Sequence, residues 1–307
     1  MKKIILSGFL SLMATTGLTS VAEATTCSIS GSIDFAYTGA IETCTVSQAG
    51  LYGITAAGGG GGDGADMQVV DSKGDISLNS GEVISIIVGS APVGSAANIS
   101  GYNYDTGAGG SFVFQGSGSG ATPLIVAGGG GGGAGITGYA ANASVTTSGT
   151  VAGGINGGPI GGAGGVNGGN GVNSYGQGGE GYLAILATPT PTGGVFGGGG
   201  GGYNGGYGSG GGGGGYSGGG GGGQYNGGGG GGGGGGSFVI STATNASITS
   251  NYNSDYFSSG SVDFALINTT ASSPPPSSVP EPSAIAVFAS AIAGLVFARF
   301  WMKRGKA

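Results

Sequence analysis

The sequence predicts an all-β fold, a sandwich or barrel-like roll, with an inserted bundle of polyglycine-II helices. Three observations lead there. Short apolar runs of strand length recur across residues 25–271, separated by Gly, Asn and Ser turn signals. No part of that region keeps a helical period. Glycine supplies 83 of 307 residues, against ordinary usage of about 7%. Much of it stands in pure runs at 58–62, 128–133, 197–202, 210–215, 218–223 and 227–236.

The elements follow in order. Ile29, Ile33, Phe35 and Tyr37 share one parity and Ser30, Ser32 and Asp34 the other, which is a strand with one wet face. Gly39 marks a turn. Thr45-Val46 and residues 51–56 read as strands around a turn at 48–50, and 76–78 and 83–88 as strands around Asn79-Ser80-Gly81. Residues 112–114 and 124–126 come next, then, after a long insertion, 182–186, 238–240 and 262–267. Gly-Gly-Ser-Phe-Val occurs twice, at 109–113 and 235–239. Each time a glycine segment passes straight into a strand, so rods and sheet belong to one fold.

Glycine loses more backbone freedom on folding than any other residue. The runs therefore stay unfolded or fold in a way only glycine permits. A low-complexity linker is one reading. The purity of the runs, the equal length of three successive ones, the short interruptions Tyr203-Asn204, Tyr216-Ser217 and Gln224-Tyr225-Asn226, and the flanking strands favour order. A polyglycine helix is left-handed and threefold and rises about 3.1 Å per residue. Its backbone groups bond sideways to neighbouring rods once no Cβ holds them apart. Each such bond contributes about 1 kcal/mol net, against an ordering cost of roughly 1–2 kcal/mol per residue. The balance is narrow, and the rods, expected mainly over 193–236, need a sheet to dock on.

The two ends speak of export. Lys2 and Lys3 precede an apolar stretch, and Ala22-Glu23-Ala24 reads as a cleavage site, giving a signal peptide over 1–24 and a mature start at Thr25. A Pro/Ser linker over 272–282 ends in Val279-Pro280-Glu281-Pro282. An apolar segment from 283 to 298 follows, closed by Arg299, Lys303, Arg304 and Lys306. Sixteen helical residues rise about 24 Å, short of a hydrocarbon core of roughly 30 Å. Phe300, Trp301 and Met302 make up the difference if Arg299 snorkels. Residues 283–307 then form a transmembrane helix and basic tail, with the cations cytoplasmic. This arrangement over roughly the last thirty residues resembles the PEP-CTERM sorting signal of Gram-negative bacteria. The resemblance implies processing by an exosortase-type membrane protease near Pro280, a transient stay in the inner membrane, and delivery to the cell surface or an exopolysaccharide matrix.

Composition excludes several activities. Between Thr25 and Ala298 the only cationic side chain is Lys73, against the acids Asp34, Glu42, Asp63, Asp66, Asp71, Asp75, Glu82, Asp105, Glu180, Asp255, Asp263 and Glu281. Nucleic-acid binding needs clustered Lys and Arg, and no nucleic-acid partner is expected. Histidine is absent, which removes the commonest general base and every Ser-His or Cys-His nucleophile. No enzymatic activity is expected. Cys27 and Cys44 leave two readings open. An oxidising compartment favours a disulfide; a tight hairpin turning at 38–41 would not set them opposite each other.

Two candidate sites remain. Residues 61–66 resemble a single calcium-binding nonapeptide with Gln68 where an apolar residue belongs, and Asp63, Asp66, Asp71 and Asp75 cluster as oxygen ligands suited to Ca²⁺. No other cofactor is expected; the alternative is a solvated acidic loop. Tyr203, Tyr207, Tyr216 and Tyr225, with Asn204 and Asn226 beside them, suit stacking on and bonding to sugars; the alternative is that they end rods or wedge between rods and sheet.

Phe35 to Ala40, Thr43-Cys44-Thr45-Val46 and Gly50 to Ile54 resemble the opening of bacterial glycine-rich surface proteins. Residues 81–89, 109–113 and 123–128 are similar to the extracellular glycine-rich domain of anaplastic-lymphoma-kinase-type receptors. The resemblance implies a jelly-roll-like β-sandwich carrying a polyglycine-helix insertion. It departs at Cys44 and in the insertion over 136–181, and kinase activity does not carry over. The expected function is an exported, non-enzymatic structural protein of the bacterial surface or exopolysaccharide matrix. The alternative is an adhesin or binding module that recognises a carbohydrate or protein through turns between rods.

Overall fold

The computed structural model describes residues 25–27, 31–62, 68–94, 104–134, 139–153, 161–203, 208–225, 228–252 and 257–269. Its strands are β1 (Thr25–Cys27), β2 (Ser32–Ala36), β3 (Glu42–Val46), β4 (Gly50–Ala57), β5 (Gln68–Leu78), β6 (Val83–Ile87), β7 (Ser111–Gln115), β8 (Thr122–Ala127), β9 (Gln224–Tyr225), β10 (Gly228–Gly229), β11 (Phe238–Val239), β12 (Thr244–Tyr252) and β13 (Ser261–Thr269). One sheet runs β1-β3-β6-β7-β8-β11 and a second β12-β5-β4-β13-β2; β9 and β10 pair as a separate hairpin. All pairings are antiparallel except β1 with β3. The fold is all-β.

Alternation explains how the sheets pack. In β4, Tyr52, Ile54 and Ala56 are buried while the residues between them are half exposed, and β5 and β13 bury Ile76 and Leu78, Val262 and Phe264 in the same way. These side chains meet Val46, Ile84, Ile86, Val113, Ile125 and Ala127 of the other sheet in one core. Ser72 Oγ donates to the Val126 carbonyl at 2.9 Å between the two layers, so its burial leaves no orphan hydroxyl. The six-stranded sheet is buried on both faces. Its outward set, Ile87, Phe112, Phe114 and Val126, joins Ile185 and Phe196 of the glycine-rich insertion in a second core.

The glycine segments continue the strands. β4 runs into 58–62, β8 into 128–133, and 105–110 and 230–236 lead into β7 and β11. Residues 210–215 show what changes at the joint. Gly210 and Gly213 donate to the carbonyls of Gly230 and Gly233, Gly211 and Gly214 to those of Asp105 and Ala108, and Gly212 and Gly215 to those of Gln177 and Glu180, at 2.8–3.2 Å. Their own carbonyls accept from three further segments: Gly210 and Gly213 from Gly222 and Gly219, Gly211 and Gly214 from Gly132 and Gly129, and Gly212 from Gly200, at 2.7–2.8 Å. A strand aims its bonds at two neighbours in one plane. Here the target changes by one neighbour per residue and repeats every three, so this segment is ringed by six others. The three that accept from it run parallel to it. Residues 219–222 and 129–132, which donate to it, run antiparallel.

The segment 230–235 obeys the same rule. Gly230 and Gly233 donate to Gly223 and Gly220, and Gly232 and Gly235 to Gly132 and Gly129. The insertion joins in: Thr150 and Gly153 bond to Gly234 and Gly231, Gly162 and Gly165 to Gly221 and Gly218, Gly176 and Gly179 to Gly222 and Gly219. The lattice thus reaches well beyond the expected 193–236. Its closeness excludes side chains. A Cβ on Gly211 would fall on the Gly200 carbonyl, and one on Gly213 on the Gly129 carbonyl. The repeated Gly-Gly-Ser-Phe-Val motif marks the seam. Ser111 Oγ accepts from the Gly89 N–H at 3.1 Å and Ser237 Oγ from the Gly128 N–H at 3.0 Å, both fully buried. Each hydroxyl receives a donor where the twofold sheet pattern gives way to the threefold one.

Three sequence expectations need correction. Residues 182–186 form no strand: Tyr182–Ile185 is one turn of α-helix (α1), with the Ile185 N–H on the Gly181 carbonyl at 3.3 Å. A five-residue apolar run fits either state, and burial of Ile185 against the outer sheet face decides it. Residues 68–75, read as an acidic loop, are the first part of β5, and β12 was not expected at all. The hairpin objection to a Cys27–Cys44 bond does not apply. β2 and β3 lie in different sheets and form no hairpin; Cys27 lies on β1, which pairs parallel to β3, and the two cysteines form a disulfide with Cα atoms 5.2 Å apart.

Asp34 and Asp263 face each other across β2 and β13. A hydrogen bond with Asp34, then burial, then the Asp34 charge raise the Asp263 carboxyl from an ordinary 3.8 to about 6. The folded state therefore holds a proton that the unfolded chain gives up, and stability rises as pH falls through about 6 toward 4, the reverse of a salt-bridged carboxylate. Asp263→Asn should raise Tm at neutral pH and remove this part of the pH dependence in melting curves. An unchanged slope between about pH 7 and pH 5 would contradict the pairing.

Gly213→Ala should destabilise the protein by about 3 kcal/mol or more, beyond the usual range for overpacking because the clash is with backbone, and should speed amide exchange across 210–236. Gly120→Ala, where an added Cβ meets nothing within 4 Å, is the matched control and should leave both unchanged.

Candidate functional site

Threefold geometry also positions the side chains that the lattice does carry. The segment Gly176-Gln177-Gly178-Gly179-Glu180-Gly181 runs beside 210–215, with its polar residues three apart. On a threefold rod, residues i and i+3 lie along one edge. Gln177 is fixed by its N–H to the Gly201 carbonyl and its carbonyl from the Gly212 N–H; Glu180 by its N–H to the Gly198 carbonyl and its carbonyl from the Gly215 N–H. Both side chains line a cavity of about 270 Å³, shared with Asn170, Gly171, Asn173, Gly178 and Pro191.

The amide orientations in this cavity are set by backbone donors. Asn170 Oδ1 accepts from the Gly181 N–H at 2.9 Å, Asn173 Oδ1 from Gly178 at 2.8 Å, and Gln177 Oε1 from Gly201 at 3.2 Å. A backbone N–H needs an oxygen, so the three side-chain NH₂ groups are the ends left for a guest. Glu180 is half buried, and burial pushes its carboxyl above the usual carboxylate range. Its Oε2 is buried with no hydrogen-bond partner, an arrangement that costs about 1–3 kcal/mol. Outside the cavity lining, Tyr175 and Tyr203 are 52% and 43% exposed with ring centroids 5.7 Å apart.

Of the residues expected to bind, the structure describes the side chains of Tyr203 and Tyr216. Tyr216 is no free sugar platform: its ring stacks between Tyr182 at 4.7 Å and Phe238 at 4.5 Å, closing the second core between α1 and β11. Its turn is too short to lift the ring away from the sheet. Tyr203 stays exposed, and its backbone pairs with Ser209. Tyr225 contributes its backbone to the β9–β10 hairpin; Asn204, Tyr207 and Asn226 lie outside the described residues.

Of the acidic set, the structure describes Asp71 and Asp75. Asp71 and Asp75 lie on the solvent side of β5, four extended residues or about 13 Å apart. Asp75 Oδ2 accepts from Asn245 Nδ2 at 2.6 Å, and Asp71 Oδ2 accepts from Asn251 Nδ2. They serve the β5–β12 pairing, while Asp63 and Asp66 lie outside the described residues. Among the described residues no group of three or more acids, cysteines or histidines meets, and no helix is long and apolar enough to cross a membrane. Residues 1–24, with Ala22 and Ala24, and 270–307, with the Val279-Pro280-Glu281-Pro282 motif and the basic tail, are also outside the described residues.

The cavity residues were missed by the sequence reading, yet a signal was present: Asn167, Asn170 and Asn173, then Gln177 and Glu180, stand three apart in a glycine background. No protein-family model matches the chain, and no curated protein matches it. Tyr216→Ala should cost about 3 kcal/mol, near the low end for aromatic truncation since the ring is only half buried. Thermal unfolding reads the loss, and an effect under about 1 kcal/mol would mean that the ring does not join insertion to sheet.

Proposed function

We propose that this chain is an exported, non-enzymatic structural protein of the bacterial surface or exopolysaccharide matrix. In this reading the two sheets form a jelly-roll-like sandwich and the glycine lattice is a polyglycine-II bundle seated on it. The observation that carries the reading is the threefold rotation of lateral bonds around 210–215, which satisfies peptide groups in all directions from side-chain-free backbone. Such a body presents few titratable or nucleophilic groups and many fixed backbone bonds, which suits a mechanical part. The absence of histidine and the single cation Lys73 over residues 25–298 support a non-catalytic role. Export and sorting rest on the sequence at the two ends, with an exosortase-type protease as processing partner and the inner membrane as a transient station.

A second reading, a carbohydrate- or protein-binding module, draws on the polar cavity and the exposed Tyr175–Tyr203 pair. Fractionation of the native host tests the first. The wild-type chain should appear at the surface or in the matrix, shortened at its C-terminus. Replacing Val279-Pro280-Glu281-Pro282 with alanines should hold an unshortened chain in the inner membrane. Cytoplasmic wild-type protein would overturn the proposal.

A further inference from the structure

We propose that the cavity between residues 170–173 and 177–180 binds a neutral sugar unit, held by the carboxamides of Asn170, Asn173 and Gln177 and the Glu180 carboxylate. The donor set selects the guest. A metal ion needs several oxygens, and here Glu180 is the one carboxylate among the lining side chains, while each carboxamide oxygen already accepts one N–H, from Gly181, Gly178 or Gly201. The amide NH₂ groups repel a cation. An anion would meet the Glu180 carboxylate with no Lys or Arg among the lining residues. An apolar guest would strip water from four polar side chains without replacing it.

A neutral polyol fits each group. Its hydroxyl oxygens accept from the amide NH₂ groups, and a hydroxyl proton goes to the Glu180 carboxylate that lines the cavity. The volume, about 270 Å³, lies near the lower end of small-molecule pockets, roughly 300 Å³, which suits one ring of a longer chain. The lining is also rigid in advance, because Gln177 and Glu180 are bonded through both backbone groups to the lattice. The site itself rests on these side chains alone, and its use in a polysaccharide matrix rests on the proposed function; fractionation reads the second and binding reads the first, so either can fail separately.

The test uses the full chain and four neutral disaccharides, cellobiose, maltose, lactose and chitobiose, with digalacturonate and CaCl₂ as charged comparisons. At least one neutral disaccharide should give a saturable rise in Tm and saturation-transfer NMR signals on its ring protons, and neither charged probe should. Glu180→Gln should weaken that binding at least tenfold while raising the Tm of the free protein, since it removes a half-buried charge. Failure of all four sugars to bind, preference for digalacturonate or Ca²⁺, undiminished binding by Glu180→Gln, or a lower Tm in that variant would each overturn the proposal.

Discussion

Backbones can lie at hydrogen-bonding distance on all sides only where no Cβ stands between them. In this protein that condition holds around 210–215, where N–H groups and carbonyls go to six surrounding segments. Any added methyl meets carbonyl oxygen rather than a yielding side chain. The constraint is severe and local, yet the rest of the chain is arranged to meet it. Turns fall where runs end, aromatics stand outside the lattice, and polar side chains appear on edges that face water.

The lattice and the sheets depend on each other. A lone polyglycine rod has no apolar surface to bury and a large ordering cost. Strands β4, β7, β8 and β11 supply neighbours already held at the right spacing by an apolar core. In return the insertion covers Phe112, Phe114 and Val126 on the outer face of the six-stranded sheet, through α1, Phe196 and Tyr216. Ser111 and Ser237 make the passage between the two bonding schemes without an orphaned N–H. The Gly-Gly-Ser-Phe-Val repeat is therefore a joint, with glycines for the rod, serine for the seam and an apolar pair for the two sides of the strand.

Much of the sheet was legible because its strands are short apolar runs, alternating in β4 and the start of β13 and continuous in β6, β7 and β8. β4, β6, β7, β8 and β13 all fall on the apolar runs at 51–56, 83–88, 112–114, 124–126 and 262–267. β12 was not legible: Thr244–Tyr252 is polar apart from Ala246, Ile248 and Tyr252, as suits an edge strand with a wet face. The first half of β5 hid for a related reason. Its inward positions Ser72 and Gly74 are small and its outward ones charged, so alternation of size replaced alternation of hydropathy. The cavity was missed because period three belongs to neither helix nor strand. Asn170, Asn173, Gln177 and Glu180 are an edge pattern only for a reader who has already accepted a threefold rod.

The one-third rotation per residue also imposes an arithmetic of length. Removing three residues from a rod would shorten it by a full turn of about 9 Å and leave every remaining donor aimed at its former neighbour. Removing one or two would turn the downstream half of the rod onto the wrong partners, even though every residue lost and every residue kept is the same amino acid. In 210–215 and 218–223, both whole multiples of three, a change in composition is impossible to see and a change in count is structurally expensive.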